Sequence, residues 1–386
     1  MNMKLIYVTN GRIPTEKAYG LQTVSMCQAF VGAGAPVTLV IPRRKNSIAE
    51  SLFDYYGVEK NFGVSYIPII DAIGWGRRFG FWVTRLSYAV ALLFSLKLRK
   101  QPDTVIFTRD LIAAVLLKLR GHRVFYDMHG FPYKFLWFWK KACQMMEGMV
   151  CTNQWKIEQC KKIFKIHESK LCLARNGFTN DQASSQTLST ARREVALPPD
   201  KEVVVYAGHL QDWKGVDVLA KAAQKLSNIL FVFVGGTADE ITRFKARNLP
   251  LSKNVVMKGQ RPHQEIPTYL QAADVVVLPN SARSENFRFA VYSQYDTSPL
   301  KLFEYMASRR PIVASALPSI KEILNESNAV LVEPDNPNAL VDGIRKVLSN
   351  PDLKAKLETR AWQDVQQYSW VNRALSILGF IESQKV

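Results

Sequence analysis

The stretch Asp296-Thr-Ser-Pro-Leu-Lys-Leu-Phe-Glu304 combines an end that suits an anion with a single carboxylate one turn on. Thr297, Ser298 and Pro299 read as a turn into an apolar helix, with Ser298 suited to cap it and Pro299 preset for its first turn. Such a start leaves several backbone N–H groups free and carries the positive end of the helix dipole. An anion, most often phosphate, is the guest that those groups favour. Glu304 lies about 1.4 helical turns past Pro299. Its charge repels a phosphate, but it can accept hydrogen bonds from sugar hydroxyls, as an acidic residue does for ribose in dinucleotide folds. The combined reading is a helix end that holds a nucleoside diphosphate and its ribose. An ordinary capped core helix with one surface carboxylate is the competing reading of the same residues.

The rest of the chain supplies a scaffold for that helix. At 386 residues, two domains are expected. Apolar content of 47% and charged content of 22% fit a globular protein. Residues 4–9 read as a buried strand, 10–20 as a polar loop, 21–31 as a helix and 36–41 as a second strand. This β-loop-α-β opening belongs to a doubly wound sheet, although the loop lacks a G-x-G-x-x-G cradle. Further strands are expected at 124–127, ending in Met128-His129-Gly130, and at 149–152 and 170–174. Residues 178–200 are polar, end near two prolines and read as a linker region with a short helix near 188–195. The pattern then restarts. Strands are expected at 202–207, 229–234, 255–258, 275–278 and 311–314, with a helix at 216–226. A last helix, 363–383, has apolar residues spaced to pack back on the first domain. The expected fold is α/β, two Rossmann-like doubly wound domains facing across a cleft, with ligands at the carboxyl ends of the strands. The boundaries are 1–180, 181–362 and 363–386.

Charge is distributed unevenly. The net charge is +18, and residues 1–180 hold 26 Lys/Arg against 11 Asp/Glu, which places +15 in the first half. An anionic surface or substrate is expected there, with nucleic acid and the inner membrane leaflet as candidates. Two segments sharpen this. Residues 75–100 set Trp75, Arg77, Arg78, Phe79, Phe81, Trp82 and Arg85 before an apolar run that ends in Lys97, Arg99 and Lys100. Residues 131–141 are aromatic and basic in the same way. Interfacial helices have this character, and so do core helices with basic ends. Aromatic interleaving also suits single-stranded nucleic acid, but no RNA-binding signature accompanies it. The run at 86–96 is too short to span a bilayer, and residues 4–8 open directly on a strand pattern without a secretory signal. Five cysteines without a C-x-x-C pair read as reduced cytosolic thiols.

Six segments, in order along the chain, resemble glycosyltransferase family 4, retaining nucleotide-sugar enzymes of the GT-B fold. They are Pro14-Thr-Glu-Lys-Ala-Tyr-Gly-Leu-Gln22, Tyr126-Asp-Met-His-Gly130, Asn176-Gly177, Tyr206-Ala-Gly-His-Leu-Gln-Asp-Trp-Lys-Gly215, Ala273-Asp-Val-Val-Val-Leu-Pro279 and Ser298-Pro-Leu-Lys-Leu-Phe-Glu-Tyr-Met-Ala307. The resemblance implies that Lys214 contacts the donor diphosphate, joined by backbone N–H groups around Ser298, Pro299, Leu300 and Lys301. It implies that Glu304 binds the ribose, that His129 lies beside the donor sugar, and that Gly20 lets the diphosphate or acceptor approach the backbone. Taken alone, His129 reads as a satisfied polar residue and Lys214 as a surface charge. Transfer from a nucleotide-sugar makes an oxocarbenium-like centre and a departing diphosphate, so charge on the leaving group is what must be stabilised.

Three positions depart from the family pattern. His209 stands where many members carry an Arg of the diphosphate clamp, so either Arg261 or His209 as a cation compensates, or the clamp is weaker. Asp296 stands where many carry a Glu, a shorter reach toward the donor sugar, and Arg309 replaces a usual Gly. No D-x-D pair and no His/Cys/Asp cluster of ligand spacing occurs, so no metal and no cofactor is expected beyond the nucleotide-sugar substrate. The expected function is sugar transfer to a lipid-linked or polysaccharide acceptor by a cytoplasmic protein peripheral on the inner membrane face. A nucleotide-sugar 2-epimerase or phosphorylase-like enzyme shares the fold, and a basic nucleic-acid-binding protein is a third reading.

Overall fold

The computed structural model describes residues 3–76, 79–95, 103–179 and 186–384. Arg77, Arg78, Lys97, Arg99 and Lys100 of the basic segment, and residues 180–185 of the expected linker, lie outside the described residues. The chain forms two compact units, one of Met1–Arg175 with Trp370–Val386 and the other of Asn176–Ser369.

The first unit carries seven strands: β1 (Lys4–Val8), β2 (Val37–Arg43), β3 (Gly63–Pro68), β4 (Thr104–Thr108), β5 (Arg123–Met128), β6 (Gly148–Cys151) and β7 (Leu171–Leu173). They pair in parallel in the order β3-β2-β1-β4-β5-β6-β7. Helices cover both faces, so the central strands read as near-continuous Val, Ile and Phe runs rather than as alternating ones. The order reverses between β1 and β4, which opens a crevice at their carboxyl ends.

The second unit repeats the plan with β8 (Val203–Ala207), β9 (Leu230–Val234), β10 (Val255–Gly259), β11 (Val275–Leu278), β12 (Ile312–Ser315) and β13 (Val330–Val332). The order is β10-β9-β8-β11-β12-β13, again all parallel, and it reverses between β8 and β11. One core layer holds Leu302, Phe303, Tyr305 and Met306. The layer on the other side of the sheet holds Val216, Leu219, Phe231 and Phe233.

Several sequence expectations need correction. Ser298 does not cap the Leu300–Ala307 helix: Pro299 takes the cap position in extended conformation, and no side chain caps it. The helix therefore starts one residue later than expected, and the Ser298 carbonyl accepts a hydrogen bond from Asn176 Nδ2 at 2.8 Å. The expected helix 363–383 is two helices, Pro351–Val365 and Trp370–Ser383. Ser369 between them is extended and bridges to Phe178, while Tyr368 packs its ring 5.2 Å from Phe303. The helix Trp370–Ser383 lies within the first unit, where Phe380 meets Phe125 edge-on at 5.8 Å. β3, β4 and β13 were not singled out by the sequence reading. Among the described residues no helix is long and apolar enough to cross a membrane.

Candidate active site

In the second unit the β8/β11 reversal is closed by two loops that touch. Gly215 has φ of 70°, and a Cβ there would fall 1.8 Å from the Pro279 carbonyl oxygen, so only glycine fits. The Ser281 N–H also donates to the Trp213 carbonyl at 3.0 Å. This fixes Lys214, whose ammonium sits 3.7 Å from the centroid of the Trp213 ring. Trp213 is itself stacked on Phe289, with ring centroids 6.0 Å apart.

The Leu300–Ala307 helix is tied to the end of β8 by Tyr305. The Ala207 N–H donates to Tyr305 Oη at 2.8 Å, and that hydroxyl donates back to the Ala207 carbonyl at 3.2 Å. The tie places Lys301 over Tyr206, with its ammonium 4.2 Å from the ring centroid. Among the described residues that ammonium makes no hydrogen bond, although Lys301 is only 9% exposed. Burial drives the Lys301 pKa well below the usual lysine value; the charge of Lys214 adds to the effect and Glu304 opposes it. Burial likewise lowers Lys214 to about 7. Two desolvated cations therefore stand beside a helix amino end. Each is costly while the site is empty, and each is stabilised by an arriving anion.

Glu304 is held from the loop after β10. His263 Nε2 lies 2.9 Å from Glu304 Oε1, in a pair whose side chains are 27% and 16% exposed. Burial works against a charged imidazole, but the Glu304 carboxylate outweighs it by hydrogen bond and charge, and the His263 pKa is raised.

In the first unit, β5 ends in a relay. Arg373 of the Trp370–Ser383 helix donates from Nη2 to Asp127 Oδ1 at 2.8 Å and to Oδ2 at 3.0 Å. Its Nη1 donates to the Ala174 carbonyl at 2.9 Å. Asp127 Oδ2 in turn meets His129 Nε2 at 2.8 Å. Burial pushes the Asp127 pKa up, yet Arg373 and His129 more than reverse that, and it falls below the ordinary carboxylate range. Burial and the Arg109 charge lower His129 to about 4 against the pull of Asp127. At neutral pH the imidazole is thus uncharged. Beside an ionised Asp127 its proton sits on Nε2, which leaves Nδ1 as an acceptor.

The remaining expected residues have other partners. His209 Nδ1 is 3.0 Å from Glu240 Oε2, so that ring nitrogen already has a carboxylate partner, and Arg261 is exposed with Nε donating to the Lys258 carbonyl at 3.1 Å. The second cation near Lys214 is Lys301, which the sequence reading had used only for its backbone. Asp296 is fully buried at the end of a wide helical turn, Tyr292–Asp296. At Gly20 the close approach is made by Tyr56: a Cβ there would lie 2.0 Å from its hydroxyl. Packing against Tyr56 is thus one reason for a glycine there. Arg309 has φ of 54°, a conformation that explains a glycine preference, and its guanidinium lies 4.1 Å from the Trp362 ring centroid. Asp127, Arg373, Arg109 and His263 went unread. Asp127 lay in a quoted motif, but no local signal marks the others. No group of three or more His, Cys, Asp or Glu able to hold a metal occurs among the described residues.

Two doubly wound parallel sheets with these reversals define the GT-B class of fold. Residues 189–364, which carry Lys214, His263, Lys301 and Glu304, match the family model "Glycosyl transferases group 1". The chain is 24% identical over 251 residues to a D-inositol 3-phosphate glycosyltransferase of Corynebacterium urealyticum, a match covering 61% of this chain and 56% of that one. It is 28% identical over 206 residues to D-inositol 3-phosphate glycosyltransferase 1 of Catenulispora acidiphila, covering 48% and 46%. The chain thus spans about half the length of the curated relatives it matches. Among solved structures it is similar to sucrose-phosphate synthase from Thermosynechococcus elongatus, with a TM-score of 0.77, 18% identity and 98% of each chain covered. It is also similar to Anabaena HepE in complex with UDP and glucose, with a TM-score of 0.74, 15% identity and coverage of 99% and 100%.

Proposed function

We propose that the protein is a retaining glycosyltransferase of family 4 that moves a sugar from a nucleoside diphosphate donor to a lipid-linked or polysaccharide acceptor at the cytosolic membrane face. One observation carries the donor half of this reading. Lys214 and Lys301 are desolvated cations outside any ion pair among the described residues, set beside the amino end of the helix that bears Glu304. A diphosphate supplies the missing counter-charge, and its ribose the hydroxyls for the free oxygen of Glu304. The family match over residues 189–364 supports the same reading, and HepE, solved with UDP, makes UDP the first donor base to try.

In the reaction, the bond between the anomeric carbon and the β-phosphate oxygen breaks, and its electron pair stays on the phosphate. Lys214, Lys301 and the helix-end amides stabilise that charge as it develops. The acceptor oxygen bonds to the anomeric carbon on the same face, and its proton passes to the departing phosphate. His129, neutral and held by Asp127, is assigned to a donor-sugar hydroxyl through Nδ1. The acceptor half is supported by the net charge of +15 in residues 1–180 and by the exposed aromatic residues Trp75, Trp82 and Trp137.

A thermal-shift screen of nucleoside diphosphates and their sugars tests the donor half. A ligand that binds the folded state raises the melting temperature. At least one is expected to do so, and Lys214→Ala is expected to blunt the rise. No shift from any of them would remove the reading. Flotation with liposomes tests the membrane half: binding at low salt is expected only when anionic lipid is present.

A further inference from the structure

The Phe79–Phe94 helix of the first unit has one charged residue, Arg85, in sixteen. Its buried positions, Gly80, Thr84, Tyr88 and Leu92, recur every fourth residue and make one narrow stripe. On the other side Phe79, Trp82 and Leu86 are 65%, 66% and 67% exposed. A helix that is apolar on both sides has a second apolar body to meet. The segment Phe135-Leu136-Trp137-Phe138 is exposed throughout as well, and Phe135 holds φ of 55°, a strained conformation for an aromatic residue.

These two segments line one cavity of about 810 Å³, within the usual size range of small-molecule sites. Phe81, Trp82, Tyr126 and Trp137 line it, and so do Arg85 and Arg109. The Arg85 guanidinium lies 5.5 Å from the Phe81 ring centroid. Arg109 lies 5.8 Å from the ring centroid of Tyr19 and donates to Gln22 Oε1 at 2.8 Å. Among the described residues neither pairs with a carboxylate. Asp110, also in the wall, uses Oδ1 to cap the next helix through the Ile112 and Ala113 N–H groups.

We propose that this cavity binds one anionic amphiphile, the phosphate and first hydrocarbon segment of a lipid-linked acceptor. The aromatic walls take the chain, and Arg85 with Arg109 takes the phosphate. A soluble sugar would leave its hydroxyls against aromatic faces with few partners. Arg109 follows β4 at the strand reversal, and its charge is felt at His129, so the phosphate end of the site is the end nearer the relay. The inference rests on the lipid-linked form of the acceptor reading above.

Sub-micellar farnesyl monophosphate is the probe, titrated into the full chain and followed by calorimetry, with farnesol and inorganic phosphate as comparisons. Farnesyl monophosphate is expected to bind more tightly than either. Trp82→Ala with Trp137→Ala is expected to weaken it about tenfold or more. Arg85→Ala is expected to weaken farnesyl monophosphate and leave farnesol unchanged. Leu119→Ala, exposed but outside the cavity lining, is expected to change neither. Circular dichroism melting and the nucleoside diphosphate shift confirm that the variants are folded. Equal binding by the double variant, or binding to anionic vesicles without binding to the sub-micellar probe, overturns the proposal. Because the nucleotide shift is read separately, loss of the donor reading and loss of this one are distinguishable.

Discussion

His263 Nε2 and Glu304 Oε1 lie 2.9 Å apart, which joins two residues 41 positions apart across separate loops of the second unit. The pair fixes the carboxylate in one rotamer and commits one of its oxygens. The other oxygen is left for a ligand hydroxyl, so on the donor reading proposed above His263 is a positioning residue that acts on the nucleotide through Glu304.

If that oxygen meets the ribose, Glu304→Ala should lower affinity for a nucleoside diphosphate about tenfold or more, the usual worth of a hydrogen bond to a charged group. The 2′-deoxy or 3′-deoxy analogue should reproduce part of that loss in the native protein and cause no further loss in Glu304→Ala. Calorimetric titration of the four combinations checks this. Additive losses would detach Glu304 from the sugar.

His263 also makes stability depend on pH. Its folded pKa is raised above the ordinary value of 6.5, so the folded state holds the proton more tightly than the unfolded chain does. The pair therefore contributes fully below about pH 6.5 and loses its contribution as pH rises through the higher folded value. His263→Gln should lower the melting temperature most at pH 6 and progressively less at alkaline pH. A difference that grows with pH would contradict this.

Lys214 gives the opposite slope. Burial lowers it to about 7, whereas the unfolded chain keeps its proton to about 10.4. Between those values the unfolded state binds more protons, so this group's burden on stability is largest below pH 7 and lifts as pH rises. An arriving diphosphate restores the charged form. At pH 8, nucleoside diphosphate binding should take up protons, visible as an apparent enthalpy that changes with the ionisation enthalpy of the buffer. Lys214→Arg should retain much of the affinity while reducing the uptake, because an arginine stays charged.

The charge stabilisation proposed for Lys214, Lys301 and the helix-end amides leads to a further expectation about metals. Turnover should be unchanged by excess EDTA and unstimulated by added Mg²⁺. Loss on chelation with recovery on Mg²⁺ would assign the diphosphate charge to a metal instead.

How much of this was legible follows from what is local. All strands but β3, β4 and β13 announced themselves, many as short Val- and Ile-rich runs ending near Gly or Pro, and the Leu300–Ala307 helix by its turn and its apolar face. Its cap was misread because Ser298 and Pro299 each favour a helix start, while the Asn176 contact that holds Ser298 is 122 residues away. The join at Gln366–Tyr368 was missed because apolar spacing runs through it; the packing of Tyr368 on Phe303 decides the break. Arg373 looked like any helical arginine, since its partner Asp127 is 246 residues distant. A second cation was expected from His209 or Arg261; the lysine that feels the charge of Lys214 is Lys301, on another element and over the Tyr206 ring, and no local signal marked it.

The Arg373–Asp127–His129 relay provides the last expectation. The Arg373 and Asp127 side chains are 1% and 0% exposed, so removing the guanidinium with Arg373→Met leaves a buried carboxylate unpaired and should cost about 3–5 kcal/mol. That loss concerns the fold of the first unit and says little about chemistry. Asp127→Asn keeps the shape but no longer demands a proton on His129 Nε2, so it frees the other tautomer. With His129→Ala as the reference, both should leave nucleotide binding intact, because the residues proposed for the nucleotide lie in the other unit. Both should lower kcat about a hundredfold or more. The pH profile separates a role for the neutral imidazole from a merely structural one. His129 is lowered to about 4, so kcat at saturating donor should show no inflection from this group between pH 5 and 8, and should fall only as it gains a proton near 4. Stability falls over the same acid range, because the unfolded histidine gains its proton from about pH 6.5 downward and Asp127 loses its depressed-pKa contribution below about pH 4. An inflection near 6.5 that vanishes in His129→Ala would mean that the imidazole titrates as an exposed one, and that Asp127 and burial do not hold it neutral.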